Sequence, residues 1–126
     1  MVKISTSIYG DNEEMVFGGI LSYARSPYSR SLKGVDIAIV GVPFDLASSY
    51  RPGSRFAPAA IRKASAQLAW GPLWPWGFKP TEIVKVVDYG DLSFDYARPV
   101  TIVKVIEKQI SQILSEGASY VGKRWK

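Results

Sequence analysis

The 126-residue sequence contains no cysteine and no histidine. Without cysteine, the chain can form neither a disulfide framework nor a thiol nucleophile. Without histidine, it lacks the most common transition-metal ligand and the usual general base at neutral pH. A Ser-His-Asp triad, a Cys-His dyad and a histidine-bearing metal site are therefore excluded for this chain alone, which leaves carboxylate, lysine, tyrosine or arginine chemistry.

Long apolar runs are also lacking, because glycine, proline or a charged residue interrupts every candidate for a membrane span. The N-terminus does not show the pattern of a signal peptide. Hydrophobic residues make up 47% of the chain and charged residues 21%, which is typical of a soluble globular protein, and the length fits one domain. We therefore expect a cytoplasmic protein with no membrane partner.

The formal net charge of +5 is spread along the chain. No basic run reaches the density of a nucleic-acid-binding arm, and the C-terminal group Lys123–Lys126 is too short to indicate one. We interpret the positive charge mainly as a solvated surface, since net charge alone specifies partners weakly. Nucleic-acid binding stays the least favoured of the functional hypotheses.

Two apolar, β-branched runs have the length of strands: residues 36–42 and residues 83–87, the second ending at Asp88. Neither alternates, which predicts strands buried on both faces, as in a parallel sheet covered by helices. Between them, Pro58 is placed to begin a helix whose apolar residues recur at helical spacing: Ala60, Ile61, Ala64 and Leu68. The order strand, helix, strand predicts a right-handed βαβ unit.

A second helix is predicted from Pro99 to a stop at Gly117. Its apolar stripe is formed by Ile102, Val103, Ile106, Ile110, Ile113 and Leu114. Residues 118–121 then resemble the first residues of a third strand, and the pattern fails at Gly122. We therefore expect residues 1–121 to be the N-terminal portion of one α/β domain, with residues 122–126 as a divergent tail.

The loop after the first strand carries the candidate site residues Arg51, Gly53, Arg55 and Pro58. Ligands of open α/β sheets bind beyond the carboxyl ends of the strands, so Arg51 and Arg55 are candidates to hold a carboxylate or phosphate at the mouth of an active site. The alternative is a structural loop, in which proline and glycine shape the connection and the arginines pair with nearby acids. Composition alone favours the structural loop.

Acidic residues follow the second strand at Asp88, Asp91 and Asp95. Carboxylates at this place are candidate ligands for Mg²⁺ or Mn²⁺. The favoured interpretation is a turn over residues 88–91 in which aspartate side chains accept backbone N–H groups.

The segment Trp70–Phe78 contains three tryptophans and a phenylalanine between prolines and glycines. Such rings stack on bases or sugars, but they more often pack over a sheet edge or into a subunit contact. Because no basic cluster lies among them, we favour the packing role.

Several segments, taken in order, resemble the N-terminal part of the ureohydrolases, the arginase and agmatinase family, and the agmatinase-type members most closely. They are Gly34-Val-Asp-Ile-Ala-Ile-Val-Gly-Val-Pro-Phe-Asp45, Arg51-Pro-Gly-Ser-Arg-Phe-Ala-Pro-Ala-Ala-Ile-Arg62, Leu68-Ala-Trp70, Pro75-Trp-Gly-Phe78 and Val86-Val-Asp-Tyr-Gly-Asp-Leu92. The resemblance covers the chain to about Val121. Ala57 departs from it, because the family usually has glycine there.

The resemblance implies a three-layer α/β/α fold with a parallel sheet, of which this chain holds the N-terminal portion. It also implies a pair of Mn²⁺ ions that activate a hydroxide to attack a guanidino compound such as agmatine, releasing urea and an amine. The family's Gly-Gly-Asp-His, Asp-Ala-His-x-Asp and Asp-x-Asp segments are absent from the sequence. No catalytic residue or metal ligand is therefore assigned, and we expect a truncated chain that binds no Mn²⁺ and is inactive alone.

A parallel sheet of two or three strands leaves apolar edges uncovered. We therefore expect a homo-oligomer or an association with a complementary chain. The alternative function is a non-catalytic interaction module that pairs through its uncovered sheet edge.

Overall fold

The computed structural model describes residues 18–117. It contains strand β1 (Ile37–Gly41), helix α1 (Ala57–Ser65), the short helix α2 (Pro80–Ile83), strand β2 (Val86–Asp91) and helix α3 (Pro99–Gly117). Three 3₁₀ turns cover Tyr23–Arg25, Ser54–Phe56 and Ala66–Ala69. The predicted third strand at 118–121 and the tail at 122–126 lie outside the described residues.

The βαβ prediction is confirmed, because β1 and β2 pair in parallel and α1 lies between them in sequence. Pro58 stands in the first turn of α1, where its missing N–H costs no helical hydrogen bond. The predicted start of the second strand at Ile83 was wrong. Proline at position 80 begins the short helix α2 instead, and the strand follows from Val86.

Helix α3 packs on one face of the sheet. Its residues Ile113, Ile110 and Ile106 contact a core that includes Val87 of β2, together with Leu32, Leu92, Ala38 and Val40. The predicted start of α3 at Pro99 is confirmed, and the helix extends to Gly117, the last residue that the structure describes. Two residues of its predicted stripe were wrong, since Val103 and Leu114 are exposed. No helix within residues 18–117 is both long and apolar enough to cross a bilayer.

Helix α1 contacts the opposite face of the sheet, where Arg62 reaches Asp88 and Pro58 lies against Gly41. A side chain at position 41 would overlap both Pro58 and the Asp91 carboxylate, so this approach of α1 to β1 requires glycine. Helices therefore cover both faces of the parallel sheet, as predicted for the three-layer α/β class. The prediction that β1 is buried on both faces was wrong within the described residues, because Ile37 is 41% exposed.

The two edges of this sheet differ. The outer edge of β2 is occupied: the Asp88 N–H donates to Pro27 O at 2.9 Å and the Ser29 N–H donates to Asp88 O at 3.0 Å. These bonds form a parallel bridge between Tyr28 and Asp88. Within residues 18–117 the sheet has two strands, so the outer edge of β1 has no partner strand in this part of the chain.

Candidate functional site at the carboxyl edge of the sheet

A bulge in β2 places two aspartates on the same face of the sheet. Ile39 of β1 pairs with Asp88, but the next residue, Val40, pairs with Gly90, so Tyr89 is an extra residue in β2. Residues three positions apart in a regular strand point to opposite faces, and one inserted residue reverses this. Gly90 has φ +87°, a conformation that favours glycine, and the Tyr28 hydroxyl lies 2.5 Å from the place where a Cβ would be.

Arg62 of α1 binds both of these aspartates. Its Nε and Nη2 donate to the two carboxylate oxygens of Asp88 at 2.7 and 2.9 Å, and its Nη1 donates to Asp91 Oδ1 at 2.6 Å. The Asp88 side chain is fully buried, and the Arg62 side chain is 14% exposed. A guanidinium suits this place because its fixed fork of N–H groups matches a carboxylate and has a further donor left over.

The charged forms of this pair stabilise each other. The bond to Asp88 raises the pKa of Arg62. Burial alone raises the pKa of Asp88, but the Arg62 guanidinium and the backbone N–H groups of Tyr23 and Gly90 outweigh burial and hold that pKa below its ordinary value. Both residues therefore stay ionised at neutral pH.

The segment before β1 is also held by this cluster. The Tyr23 N–H donates to Asp88 Oδ2 at 2.8 Å, and the Ala24 N–H donates to Ser65 Oγ at 2.8 Å. Ala24 and Arg25 have φ values of 46° and 52°, which non-glycine residues adopt at a cost of order 1 kcal/mol each. Hydrogen bonds from α1 and β2 thus fix a strained backbone against the carboxyl edge of the sheet.

Asp45 organises the loop that follows β1. Its buried carboxylate accepts the Gly53 N–H at 2.8 Å and the Arg55 Nε–H at 2.9 Å. The Arg55 side chain, together with the backbone N–H groups of Gly53 and Arg55, holds the pKa of Asp45 below its ordinary value. Gly53 has φ +131°, so glycine is needed where the loop turns back to Asp45.

Of the residues predicted for this site, Arg55 and Gly53 converge on Asp45, and Pro58 lies against Gly41. Arg51 stands apart from them at the exposed tip of the loop, where its guanidinium carbon is 5.2 Å from the centre of the Tyr50 ring. Arg55 thus pairs with a nearby acid, as the structural-loop interpretation expected for it, whereas Arg51 contacts an aromatic ring.

The loops after β1 and β2 contact each other. The Tyr96 hydroxyl donates to Pro43 O, and Phe44 packs edge-on against Phe94 with ring centres 6.0 Å apart. The Arg55 guanidinium lies 5.6 Å from the centre of the Tyr96 ring. The carboxyl ends of the two strands therefore carry one continuous loop surface.

The three aspartates predicted to follow the second strand all form ion pairs with arginines of this chain. Asp88 and Asp91 bind Arg62, while Asp95 contacts Arg98 and the Ala97 N–H. The predicted turn over residues 88–91 was wrong, because these residues belong to β2. Its proposed side-chain bonding is present, however, since Asp88 Oδ1 accepts the Gly90 N–H at 2.9 Å. Among residues 18–117 there is no cluster of three metal-binding side chains.

The aromatic segment Trp70–Phe78 forms a tight hairpin outside the core. Leu73 and Phe78 make an antiparallel bridge, and the Trp74–Pro75 peptide bond at the tip is cis. The Trp76 and Phe78 rings stack with centres 6.0 Å apart. Trp74 is 93% exposed, so the predicted packing of this segment over the sheet edge does not occur for that ring in residues 18–117.

Sequence reasoning missed the central roles of Arg62 and Asp45. Arg62 stands on the polar side of a helix, where a solvated role is the ordinary expectation. One signal could have identified Arg62. The strand that carries Asp88 was predicted to lie buried beside this helix, and a buried carboxylate requires a nearby cation.

Comparisons of the sequence and of the structure with known proteins agree with one another. The Arginase family model matches residues 35–122. An agmatinase of Chromobacterium violaceum is 48% identical over 111 residues, which cover 88% of this chain and 34% of that protein. An agmatinase of Blochmanniella floridana is 44% identical over 89 residues, 70% of this chain and 28% of that protein.

A crystal structure of a hypothetical agmatinase from Burkholderia thailandensis matches 90% of this chain and 36% of its own, with a TM-score of 0.82 and 43% identity. The chain spans about a third of the length of the curated relatives that it matches. The βαβ unit, its bulged second strand and the loop after β1 are thus the N-terminal portion of an arginase-like α/β fold, and the chain belongs to the arginase family.

Proposed function

We propose that this chain provides the N-terminal part of an agmatinase-like ureohydrolase, which hydrolyses a guanidino compound such as agmatine to urea and an amine. The observation that carries the proposal is the 48% identity to an agmatinase over 88% of this chain. The match in structure to a hypothetical agmatinase supports it. The proposed setting is a cytoplasmic oligomer, with residues 1–121 as the family unit and 122–126 as a divergent tail.

In such an enzyme a pair of Mn²⁺ ions supplies the nucleophilic hydroxide. The described residues do not fit that metal pair, because the carboxylates of Asp88 and Asp91 are bound by Arg62 and that of Asp45 is bound by Arg55. We therefore assign these side chains to holding the loops at the carboxyl edge of the sheet. The metal ligands are proposed to come from the part of the family protein that this chain does not span.

The loop residues Arg51, Gly53, Arg55 and Pro58 are proposed to form one wall of the active-site mouth. Asp45 fixes the base of this loop through Gly53 and Arg55, while the tip carrying Tyr50 and Arg51 is exposed. A rigid base with an exposed polar tip suits contact with the part of a substrate that lies outside the reacting centre.

A chimaera tests the proposal directly. The 111 matched residues of the Chromobacterium violaceum agmatinase are replaced by those of this chain, and urea release from agmatine is measured with Mn²⁺. We expect activity to be retained. A chimaera that folds, binds Mn²⁺ and releases no urea would contradict the proposal.

The role of the loop is tested in the same chimaera. Arg51→Ala is expected to raise KM for agmatine several-fold with a smaller change in kcat, because a contact remote from the reacting atoms is lost. Lys104→Ala, on the exposed side of α3, is the control and should leave both constants unchanged. Equal effects of the two substitutions on KM and kcat would show that Arg51 does not line the active-site mouth.

A further inference from the structure

The aromatic hairpin, Trp70–Phe78, presents its tryptophan rings to solvent. Trp74 is 93% exposed, Trp76 is 59% exposed and Trp70 is 47% exposed. A tryptophan side chain carries up to about 250 Å² of surface, so the three rings together leave roughly 500 Å² of mainly apolar surface uncovered. Exposed apolar surface of this size on a soluble chain marks an interaction site.

Backbone hydrogen bonds close the hairpin that carries these rings. The Leu73 N–H donates to Phe78 O at 3.2 Å, and the Gly77 N–H donates to Leu73 O at 2.9 Å. At the base of the hairpin, Lys79 Nζ donates to Ala69 O at 2.8 Å. A segment that is ordered before it binds loses less conformational entropy on association, so more of the free energy from burying its rings is left to stabilise a contact.

The distribution of charge indicates the kind of partner. Residues 64–78 contain no charged side chain, whereas the whole chain has a net charge of +5. This stretch therefore offers no charged group to a nucleic acid, an anionic membrane or an acidic protein, and it suits a partner surface that is also uncharged and apolar. A second copy of the chain has such a surface, and two copies of like charge approach each other best where the facing surfaces are uncharged.

The area of the hairpin surface also fits a second copy. Each copy contributes roughly 500 Å² from its rings, so a pair buries about 1,000 Å², the lower end of the range for specific interfaces. When one surface pairs with itself across a two-fold axis, each hairpin is used once and the contact is closed. The expected product is therefore a reversible dimer and not a filament.

We propose that the aromatic hairpin is a self-association surface, at which Trp74 and Trp76 of one copy pack on the same rings of a second copy around a two-fold axis. The contact goes beyond the proposed enzymatic function and does not depend on it, because it is defined by residues of this chain alone. The hairpin lies in the chain between α1 and the amino end of β2, whereas the proposed active-site mouth follows the carboxyl end of β1.

Sedimentation velocity measures the association directly. The 126-residue chain is studied over a range of concentrations, and we expect a monomer–dimer equilibrium in the micromolar range, as befits a small interface. Trp74→Ser removes the most exposed ring and should weaken the dimer at least about tenfold, because tryptophans commonly carry much of the binding energy of an interface. Circular dichroism of α3 checks that the variant is folded.

Val100→Ser is the matched control. Val100 is 91% exposed, as Trp74 is 93% exposed, but it lies on α3 and not on the hairpin. Its substitution removes an exposed apolar side chain of the same chain and should leave the dimer unchanged. The comparison separates a specific contact of the hairpin from general association of apolar surface.

A spin label locates the contact independently of the tryptophan substitution. The chain has no cysteine, so Gly71→Cys can carry a single label, and nothing lies within 4 Å of a Cβ at that position. A two-fold dimer through the hairpin should give one short label-to-label distance that is lost on dilution. Lys104→Cys, on the exposed side of α3, should give a longer distance in the same dimer.

Three results would overturn the inference. The first is a chain that stays monomeric at about 1 mM, where even a weak contact is populated. The second is a dimer that Trp74→Ser leaves intact, which would assign association to another surface such as the outer edge of β1. The third is equal weakening by Trp74→Ser and Val100→Ser, which would mean non-specific apolar contact. Urea release by the chimaera tests the proposed function separately, since neither result depends on the other.

Discussion

Asp88 and Asp91, three positions apart on one strand, point to the same face of the sheet and share the guanidinium of Arg62. The extra residue at Tyr89 makes this possible, because it reverses the alternation of the strand between the two aspartates. A local irregularity of β2 therefore determines the ion-pair cluster, and the cluster in turn holds α1 and the segment before β1.

Arg62→Ala should destabilise the chain more than other substitutions on α1. It leaves the fully buried Asp88 carboxylate without its cation, which typically costs about 3–5 kcal/mol of unfolding free energy. Urea denaturation followed by circular dichroism measures the loss. Lys63→Ala, at the exposed neighbouring position, should change stability by less than about 0.5 kcal/mol. Similar losses for the two variants would show that the ion pair does not stabilise the fold.

Gly90→Ala tests the bulge. The substitution forces a residue with a side chain into φ +87° and pushes its Cβ against the Tyr28 hydroxyl, so we expect a loss of roughly 1–3 kcal/mol in the free energy of unfolding. Gly71→Ala is the control, since nothing lies within 4 Å of its added Cβ. The same denaturation experiment compares the two variants. If Gly90→Ala leaves the free energy of unfolding unchanged, β2 can adopt a different backbone conformation at position 90.

Stability should fall in acid because of Asp88 and Asp45. Both have pKa values that are lowered in the folded chain, so their contribution is fully present above the unfolded pKa of about 3.9. It is lost as the pH falls below that value through the lower folded pKa. Urea denaturation from pH 7 to pH 2 measures this dependence. Asp88→Asn should reduce its slope below pH 4, and an unchanged slope would assign the acid sensitivity to other groups.

Asp45→Ala should loosen the loop after β1 without unfolding the sheet. The Gly53 N–H loses its carboxylate acceptor, so hydrogen exchange at Gly53 should accelerate roughly tenfold or more. Asp95→Ala removes an exposed aspartate from the loop after β2 and should leave Gly53 unaffected. Continued protection of Gly53 in Asp45→Ala would mean that other contacts hold the loop.

The order β1, α1, β2, α3 was predictable because local signals agree with the fold, whereas the short helix α2 was missed. The apolar runs locate β1 and the first residues of β2, and Pro58 and Pro99 lie in the first turns of their helices. The ion-pair cluster was not predictable in the same way. It depends on a one-residue bulge, and the sequence around Tyr89 carries no periodic signal for an inserted residue.

The contacts within the loop after β1 were also not predictable from the sequence. Proline and glycine at 52 and 53 indicate a shaped connection, but the convergence of Gly53 and Arg55 on Asp45 spans eight and ten residues and depends on where the chain turns. The exposure of Val103 and Leu114 was also missed, because helical spacing identifies a stripe and not its width.

The aromatic hairpin determines how this molecule can be observed by spectroscopy. Three of the four tryptophans, Trp70, Trp74 and Trp76, lie in the hairpin and are 47–93% exposed. Their indole rings already meet water in the folded chain, so their emission should shift little when the sheet and α3 come apart. Tryptophan fluorescence will mainly report events at the hairpin, such as quenching when a macromolecule covers it, and the far-ultraviolet signal of the 19-residue helix α3 will report the loss of the fold.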